Sequence, residues 1–213
     1  MNHGSIAGPL TAAAGQGVQG AGLLQPTDPQ PRRWTKAEYY AMADLGWFRG
    51  QRVELVEGDV MVLSPQKFVH YATVDKDTEV LRATFGSGFW VRAQAPIDLG
   101  TLSEPEPDVS VVRGSRSDDT AHPTTAVLLV EVSDTTLSND RGPKASLYAR
   151  AGIADYWIVN LVRSQLEIFR DPVPDAAQPF GFGYATRTVL SAADFVSPLA
   201  APQQRVAVAD LFA

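Results

Sequence analysis

The segment from Ala126 to Ser133, AVLLVEVS, constrains the fold of this chain most strongly, because it is apolar on both sides of a strand. Side chains alternate along a β-strand, so Leu128 and Val130 point to one face. Leu129 and Glu131 point to the opposite face. Apolar residues on both faces are typical of a central strand that is covered on each side. Glu131 interrupts this pattern, and a buried carboxylate needs a cation, hydrogen-bond donors or the open end of the sheet.

Helical and strand patterns alternate before this segment. Thr35 and Glu38 have the capping-box spacing that begins a helix running towards Gly46. RVELVEGDVMVLSP then has the alternation and the Glu-Gly-Asp turn of a hairpin. Pro65 marks the start of a second helix. The predicted buried face of that helix consists of residues three or four apart, namely Phe68, Tyr71, Val74, Thr78, Leu81 and Phe85.

Strand patterns dominate the second half of the chain. FWVRAQAPIDL, PDVSVV and AVLLVEVS are predicted strands. A helix from about Pro143 to Arg150 and the strands DYWIVN and QLEIFR follow, and the prolines and glycines between Asp171 and Gly183 predict a surface loop. This order predicts an α/β fold in three layers, with a central mixed β-sheet flanked by helices.

Composition sets the domain organisation and the compartment. The chain has 213 residues and is 45% hydrophobic, so we predict one domain over residues 34–213. Residues 1–33 are rich in Gly, Ala, Gln and Pro without periodicity, which predicts a flexible N-terminal tail. No apolar stretch approaches the roughly 20 residues that cross a bilayer, and the secretory signal pattern is missing. We therefore expect a cytoplasmic location and no membrane association.

Charge and cysteine content limit the chemistry. A net charge of −6 argues against an extended basic surface for nucleic acid, although it leaves room for a local basic groove. Acidic residues that bind a metal would also lower the net charge while still allowing contact with phosphate through the cation. The chain has no cysteine, so any metal must be bound by oxygen or imidazole.

Lys144 is predicted to share the inward face of the helix that follows the central strand. It is spaced with Leu147, Tyr148 and Ala151 at i, i+3, i+4 and i+7, which places all four on one stripe. Lys144 could pair with Glu131. Alternatively, its stem packs while its ammonium reaches water, as is common for lysines near helix ends. Tyr148 is expected to fill the core beside it.

Asp108 is a second unusual carboxylate, at the start of the predicted strand PDVSVV. An aspartate after a proline is often a turn former, and that explanation suffices for Asp108 alone. Asp108 and Glu131 lie on consecutive strands, however, and can converge at one end of the sheet. With Lys144 nearby, they would then form an oxygen-rich site suited to Mg²⁺.

Five segments carry a resemblance to a known family: RVELVEGDV, SPQKFVH, EPDVSVV, LLVEVSDTTLSNDRGPK and LYARAGIADYWIVN. Their order over about Thr35 to Arg170 resembles the bacterial putative restriction endonuclease family of the PD-(D/E)xK nuclease superfamily. The resemblance implies a restriction-endonuclease-like fold. It also implies that Asp108 and Glu131 bind a metal and that Lys144 is the catalytic lysine. The usual lysine position, two residues after the second acid, is Ser133 here, so the role is transferred to Lys144.

Two further residues, Glu54 and His70, match positions of this family, and Asp140 is a third candidate at the start of the helix. Glu54 would complete the metal or water shell, or it is an exposed hairpin residue. Asp140 would orient Lys144, or it caps the start of the helix, which is the simpler interpretation. His70 would approach a phosphate or hydrogen-bond Glu54, or it is a packing or surface residue.

The resemblance implies a Mg²⁺-dependent endonuclease that hydrolyses DNA phosphodiester bonds, with Mn²⁺ able to replace Mg²⁺. The ion would polarise the phosphate and activate a water molecule. One alternative is a catalytically inactive module that binds DNA or protein on a nuclease scaffold. Another is a Glu131–Lys144 ion pair that only satisfies the interior of the sheet. We expect DNA as the partner and a homodimer for double-strand cleavage.

Overall fold

The computed structural model describes residue 1, residues 31–118 and residues 120–213. By its internal contacts the chain divides into the units Met1–Pro31 and Arg32–Ala213. The tail predicted for residues 1–33 falls, apart from residues 1 and 31–33, outside the described residues. The fold below is that of the second unit.

The first helix and the hairpin form as predicted. Helix α1 spans Lys36–Asp44, and Thr35 and Glu38 make both hydrogen bonds of the capping box. Strands β1 (Val53–Val56) and β2 (Asp59–Val62) pair antiparallel. The two residues between them, Glu57 and Gly58, have φ angles of 50° and 79°, as the tightest hairpin turns require.

Helix α2 spans Phe68–Phe85 and therefore begins three residues after Pro65. The prediction of its buried face is correct from Val74 onward but wrong for the first turn. Phe68 is 82% exposed and Tyr71 is 56% exposed. The apolar core that α2 covers begins only at Val74, so the first turn has no apolar surface to pack against.

A six-stranded sheet forms the centre of the protein, in the order β3-β4-β5-β6-β7-β8. Strands β5 and β6 are parallel, whereas every other neighbouring pair is antiparallel. The predicted mixed sheet is therefore confirmed. The strands are β3 (Phe89–Ala93), β4 (Val109–Arg113), β5 (Leu128–Ser133), β6 (Asp155–Asn160), β7 (Gln165–Pro174) and β8 (Phe182–Ser191).

The helical segment after β5 differs from the predicted single helix. It consists of a short helix α3 (Leu137–Asn139), a π-helix (Asp140–Lys144) and helix α4 (Ala145–Arg150). Pro143 lies inside the π-helix. Since proline has no N–H to donate to the previous turn, a widened turn accommodates it where a regular α-helix would be broken.

Both faces of the sheet are covered, as the pattern of β5 predicts. Val130 contributes to the core beneath α2, together with Val74 and Trp157. Leu129 contributes to the opposite core, beneath α4, with Tyr148. The three-layer α/β architecture is therefore confirmed. None of the described helices has the length and apolarity needed to cross a membrane.

The loop predicted between Asp171 and Gly183 is confirmed for residues 175–181 but wrong at both ends, which are strands of a long β-hairpin. Strand β7 continues to Pro174 and pairs with β8. Pairing of β7 with β6 ends at Arg170. One edge of β7 is therefore open beyond that point, where prolines are tolerated. The chain ends with strands β9 (Phe195–Val196) and β10 (Val206–Ala207) and a 3₁₀ helix (Val208–Leu211).

Candidate active site

One pocket at the end of the sheet contains every candidate residue. It has a volume of about 230 Å³ and is lined by residues of β1, α2, β5 and the π-helix. Antiparallel pairing of Val109 with Val130 brings the start of β4 beside the end of β5, so Asp108 and Glu131 face the same pocket. The candidate residues that line it are Glu54, His70, Asp108, Glu131, Asp140 and Lys144.

Glu131 is paired with Lys144, the residue that helical spacing places on the inward face of the following helix. It is 3% exposed, and its Oε1 accepts hydrogen bonds from Lys144 Nζ at 3.0 Å and Tyr148 Oη at 2.7 Å. Its Oε2 accepts no hydrogen bond from the described residues. Lys144 is buried too, so the interpretation in which its ammonium reaches water is wrong. Tyr148 fills the core as predicted but also positions the carboxylate.

Glu54 is buried in the pocket, which overturns the interpretation of an exposed hairpin residue. Its Oε2 lies 3.4 Å from Lys144 Nζ and accepts a hydrogen bond of 3.0 Å from the backbone N–H of Glu106. Lys144 thus lies between two carboxylates. Burial opposes the charge of Lys144, but Glu131 and Glu54 outweigh it and raise the pKa of the ammonium, which stays protonated.

Asp108 is held by three hydrogen bonds. Its Oδ2 accepts from the backbone N–H of Val132 at 2.9 Å. Its Oδ1 lies 3.1 Å from His70 Nε2 and accepts from Gln94 Nε2 at 3.2 Å. His70 therefore contacts Asp108, and the prediction that it bonds Glu54 is wrong. Burial opposes ionisation, but His70 and the Val132 N–H lower the pKa of Asp108, which is therefore a carboxylate at neutral pH.

Gln94 is a site residue that the sequence did not reveal. It follows β3 directly and has a φ of 45°, in the left-handed region that few residues other than glycine adopt. Its backbone N–H donates to the Asp108 carbonyl at 2.9 Å, so the pairing of β3 with β4 continues one residue further. That unusual backbone angle turns the Gln94 side chain towards Asp108. Such an angle leaves no periodic signal in the sequence.

Asp140 caps the C-terminus of α3 and not the N-terminus of a helix, so the simpler interpretation of this residue is wrong. It lies inside the helical segment as the first residue of the π-helix, and its Oδ2 accepts from Thr136 Oγ1 at 2.6 Å. Its backbone carbonyl accepts from Tyr156 Oη at 3.0 Å. The π-helix is therefore tied to the sheet beneath it. Burial raises the pKa of Asp140, and Lys144 opposes that rise.

The pocket holds more negative than positive groups. Six carboxylic acids line it, against the cationic side chains of Arg52, Lys67 and Lys144. Four of these acids act on the Lys144 ammonium, namely Glu54, Asp108, Glu131 and Asp140. Burial raises the pKa of Glu131 to about 8, with a further rise from Asp108 and Asp140, although Lys144 opposes it. The site therefore favours the uptake of a proton or another cation.

The raised pKa of Glu131 gives the first testable prediction. Its ordinary value is 4.5, so between pH 4.5 and about 8 the folded protein retains a proton that the unfolded chain has lost. The free energy of unfolding of the metal-free protein should therefore fall as pH rises through this window. Urea unfolding at a series of pH values measures this. The free energy of unfolding should fall less steeply with pH for Glu131→Gln. An equal fall in both proteins would contradict the assignment of this pH dependence to Glu131.

The donor set fits a hard divalent cation. No group of three or more His, Asp or Glu side chains within the described ranges forms a complete metal site. Mg²⁺, however, commonly binds through one or two carboxylates and retains several waters. Glu131 offers an oxygen to which no residue of the described ranges donates, and Asp108 faces the same pocket as an ionised carboxylate. These two residues would hold the ion.

The family assignment follows from a match over most of the chain. The family described as "Uma2: Putative restriction endonuclease" matches residues 37–209. This chain belongs to the Uma2 family. The match extends past Arg170, where the resemblance in the sequence was expected to end. Membership in the Uma2 family supports a nuclease-like function.

A solved structure agrees with the Uma2 assignment at the level of the fold. The crystal structure of a putative nuclease belonging to DUF820 from Anabaena variabilis ATCC 29413 is similar, with a TM-score of 0.59 and 14% sequence identity. The similarity covers 76% of this chain and 90% of the other. No curated protein matches the chain. The restriction-endonuclease-like architecture expected of an Uma2 member is thereby confirmed.

Proposed function

We propose that this protein is a metal-dependent endonuclease that hydrolyses phosphodiester bonds in DNA. One observation carries the proposal: the buried Glu131 is hydrogen-bonded to Lys144 through one oxygen, while no described residue donates to its other oxygen, in a pocket that Asp108 also lines. A purely structural ion pair would not need a second carboxylate beside it. The family assignment supports the same chemistry.

Each residue has a distinct task in this proposal. Asp108 and Glu131 would hold Mg²⁺, which when bound supplies Lewis acidity for phosphoryl transfer. Lys144 stays protonated and would place a positive charge beside the phosphate as negative charge develops on it. Glu54 and Tyr148 keep Lys144 and Glu131 in place. His70 and Gln94 orient Asp108.

The direct test is cleavage of supercoiled plasmid DNA and of single-stranded DNA, with Mg²⁺ or Mn²⁺ and with EDTA. Plasmid cleavage that occurs with added metal and stops with EDTA supports the proposal. Nicked products would indicate one site acting alone, whereas linear products would indicate two sites in a homodimer. Normal cleavage by Asp108→Ala and Glu131→Ala would reject the assignment of the site.

Metal binding separates the nuclease from a catalytically inactive binding module on the same scaffold. We expect the wild-type protein to bind Mg²⁺ in a calorimetric titration. Glu131→Gln should weaken this binding by about 100-fold or more, since even residues that only support metal ligands contribute 10- to 100-fold. As a control, Asp175→Asn in the β7–β8 turn should leave it unchanged. Carboxylate-independent Mg²⁺ binding would favour the inactive module.

A further inference from the structure

A second charged cluster lies on the same face of the sheet as the candidate active site. Its centre is Glu167 on β7, which is 1% exposed. Glu167 accepts hydrogen bonds from Arg141 Nε at 2.9 Å, Arg187 Nη2 at 2.8 Å and Asn160 Nδ2 at 2.8 Å. Although burial opposes ionisation, these donors lower the pKa of Glu167. The cluster therefore contains one carboxylate and two guanidinium groups, and it carries a net positive charge.

The two arginines retain N–H groups for a further partner. Arg141 uses Nε and Nη2 for Glu167, and Arg187 uses Nη2. Nη1 of Arg141, and Nε and Nη1 of Arg187, donate to no described residue. The arginine side chains are 35% and 46% exposed. The Arg187 guanidinium also stacks 5.5 Å from the centre of the Phe169 ring, which fixes its orientation from a second side.

The position of this cluster relative to Glu131 follows from the register of the sheet. Glu131 is opposite Ile158 on β6, and Ile158 is opposite Glu167 on β7. Two strand spacings separate Glu131 from Glu167, or about 10 Å. Arg141 also lies on the π-helix that carries Lys144. Because phosphates of one DNA strand rise about 3.4 Å per nucleotide along the axis, the cluster lies within a few nucleotides of the candidate active site.

We propose that Arg141 and Arg187, held by the buried Glu167, bind a backbone phosphate of the nucleic-acid strand a few nucleotides from the bond that is cleaved. This inference rests on the proposed nuclease function. A protein of net charge −6 with an acidic pocket needs local cations to hold a polyanion next to that pocket. A structural role for Glu167 requires only one of the two arginines. Guanidinium groups are suited to phosphate because their N–H groups match its oxygens in pairs.

The salt dependence of DNA binding tests the proposal. Binding of a labelled DNA duplex is measured by fluorescence anisotropy at several salt concentrations, with EDTA present to prevent metal-dependent cleavage. Each phosphate contact contributes about 0.9 to the slope of log K against log salt concentration. Arg187→Met should reduce the slope by about that amount. Arg187→Lys, which retains the charge, should restore most of it.

Arg116→Met provides the matched control. Arg116 is exposed and lies beyond the end of β4 that is opposite to Asp108. Its replacement removes the same charge from the protein, but the slope should not change. Thermal melting of each variant checks folding, and Arg187→Met retains the contacts of Glu167 with Arg141 and Asn160. An equal slope for Arg187→Met and the wild-type protein overturns the phosphate site, as does a wild-type protein that does not bind the duplex at low salt.

Failure of this inference and failure of the proposed function give different results. If the wild-type protein cleaves DNA with Mg²⁺ while Arg187→Met leaves the slope unchanged, the phosphate site is wrong and the nuclease stands. If Arg187→Met reduces the slope but the wild-type protein never cleaves, the phosphate site stands on an inactive scaffold.

Discussion

Replacement of Asp108 by asparagine is expected to lower the rate of Mg²⁺-dependent DNA cleavage by about 10³-fold, which corresponds to about 4 kcal/mol of transition-state stabilisation. The substitution removes the charge of Asp108 but retains its size and the oxygen that accepts from the Val132 N–H. The loss should therefore reflect charge at the metal position and not a change of fold. Initial rates of plasmid conversion at saturating Mg²⁺ measure it.

Asp44→Asn is the control for this experiment. Asp44 is exposed at the end of α1, so the variant loses the same charge away from the pocket. Its cleavage rate should equal that of the wild-type protein. Thermal melting verifies that Asp108→Asn is folded. If the folded Asp108→Asn variant cleaves DNA within about tenfold of the wild-type rate, Asp108 does not hold the metal.

At pH 9, above the raised pKa of Glu131, replacement of Lys144 by methionine is expected to lower the free energy of unfolding by about 3–5 kcal/mol. The reason is that it leaves the buried Glu131 and Glu54 without their cation. Urea unfolding measures the change. Lys67→Met provides a contrast, since the Lys67–Asp134 ion pair is on the surface and its lysine is mostly exposed. That variant should change the free energy of unfolding by no more than about 1 kcal/mol.

A double variant separates the stability of the Lys144 pair from its role in catalysis. Removing both charges with Lys144→Met and Glu131→Gln should recover part of the lost stability, because no uncompensated charge of this pair remains. Cleavage should stay undetectable in the double variant. Recovery of both stability and cleavage would show that Glu131 and Lys144 form only a structural ion pair.

The central part of the site could be predicted because it follows from short-range patterns. Alternation along AVLLVEVS places Glu131 on a covered face, and helical spacing places Lys144 on the inward stripe. Consecutive strands then bring Asp108 to the same end of the sheet. The capping box of α1 and the tight turn of the first hairpin are equally local, and both were predicted correctly.

The remainder depends on interactions that no local pattern records. Gln94 reaches Asp108 through a left-handed backbone angle, and the π-helix around Pro143 replaces the expected start of α4. Phe68 and Tyr71 fit the helical periodicity of α2 but lie where the sheet offers no core. The proline-rich end of β7 resembles a loop until β8 is seen to pair with it on one side only.

The hairpin that carries Glu54 forms a two-stranded sheet of its own, separate from the six-stranded sheet that carries Asp108 and Glu131. An isolated bridge from Leu55 to Glu104 and the hydrogen bond from Glu106 help to attach it. We therefore expect the amide protons of the hairpin to exchange through local opening, and those of central strands such as β5 to exchange only on global unfolding. Opening of the hairpin would move Glu54 away from Lys144, whereas the proposed metal ligands Asp108 and Glu131 would not move. The candidate active site is thus assembled from two separate sheets.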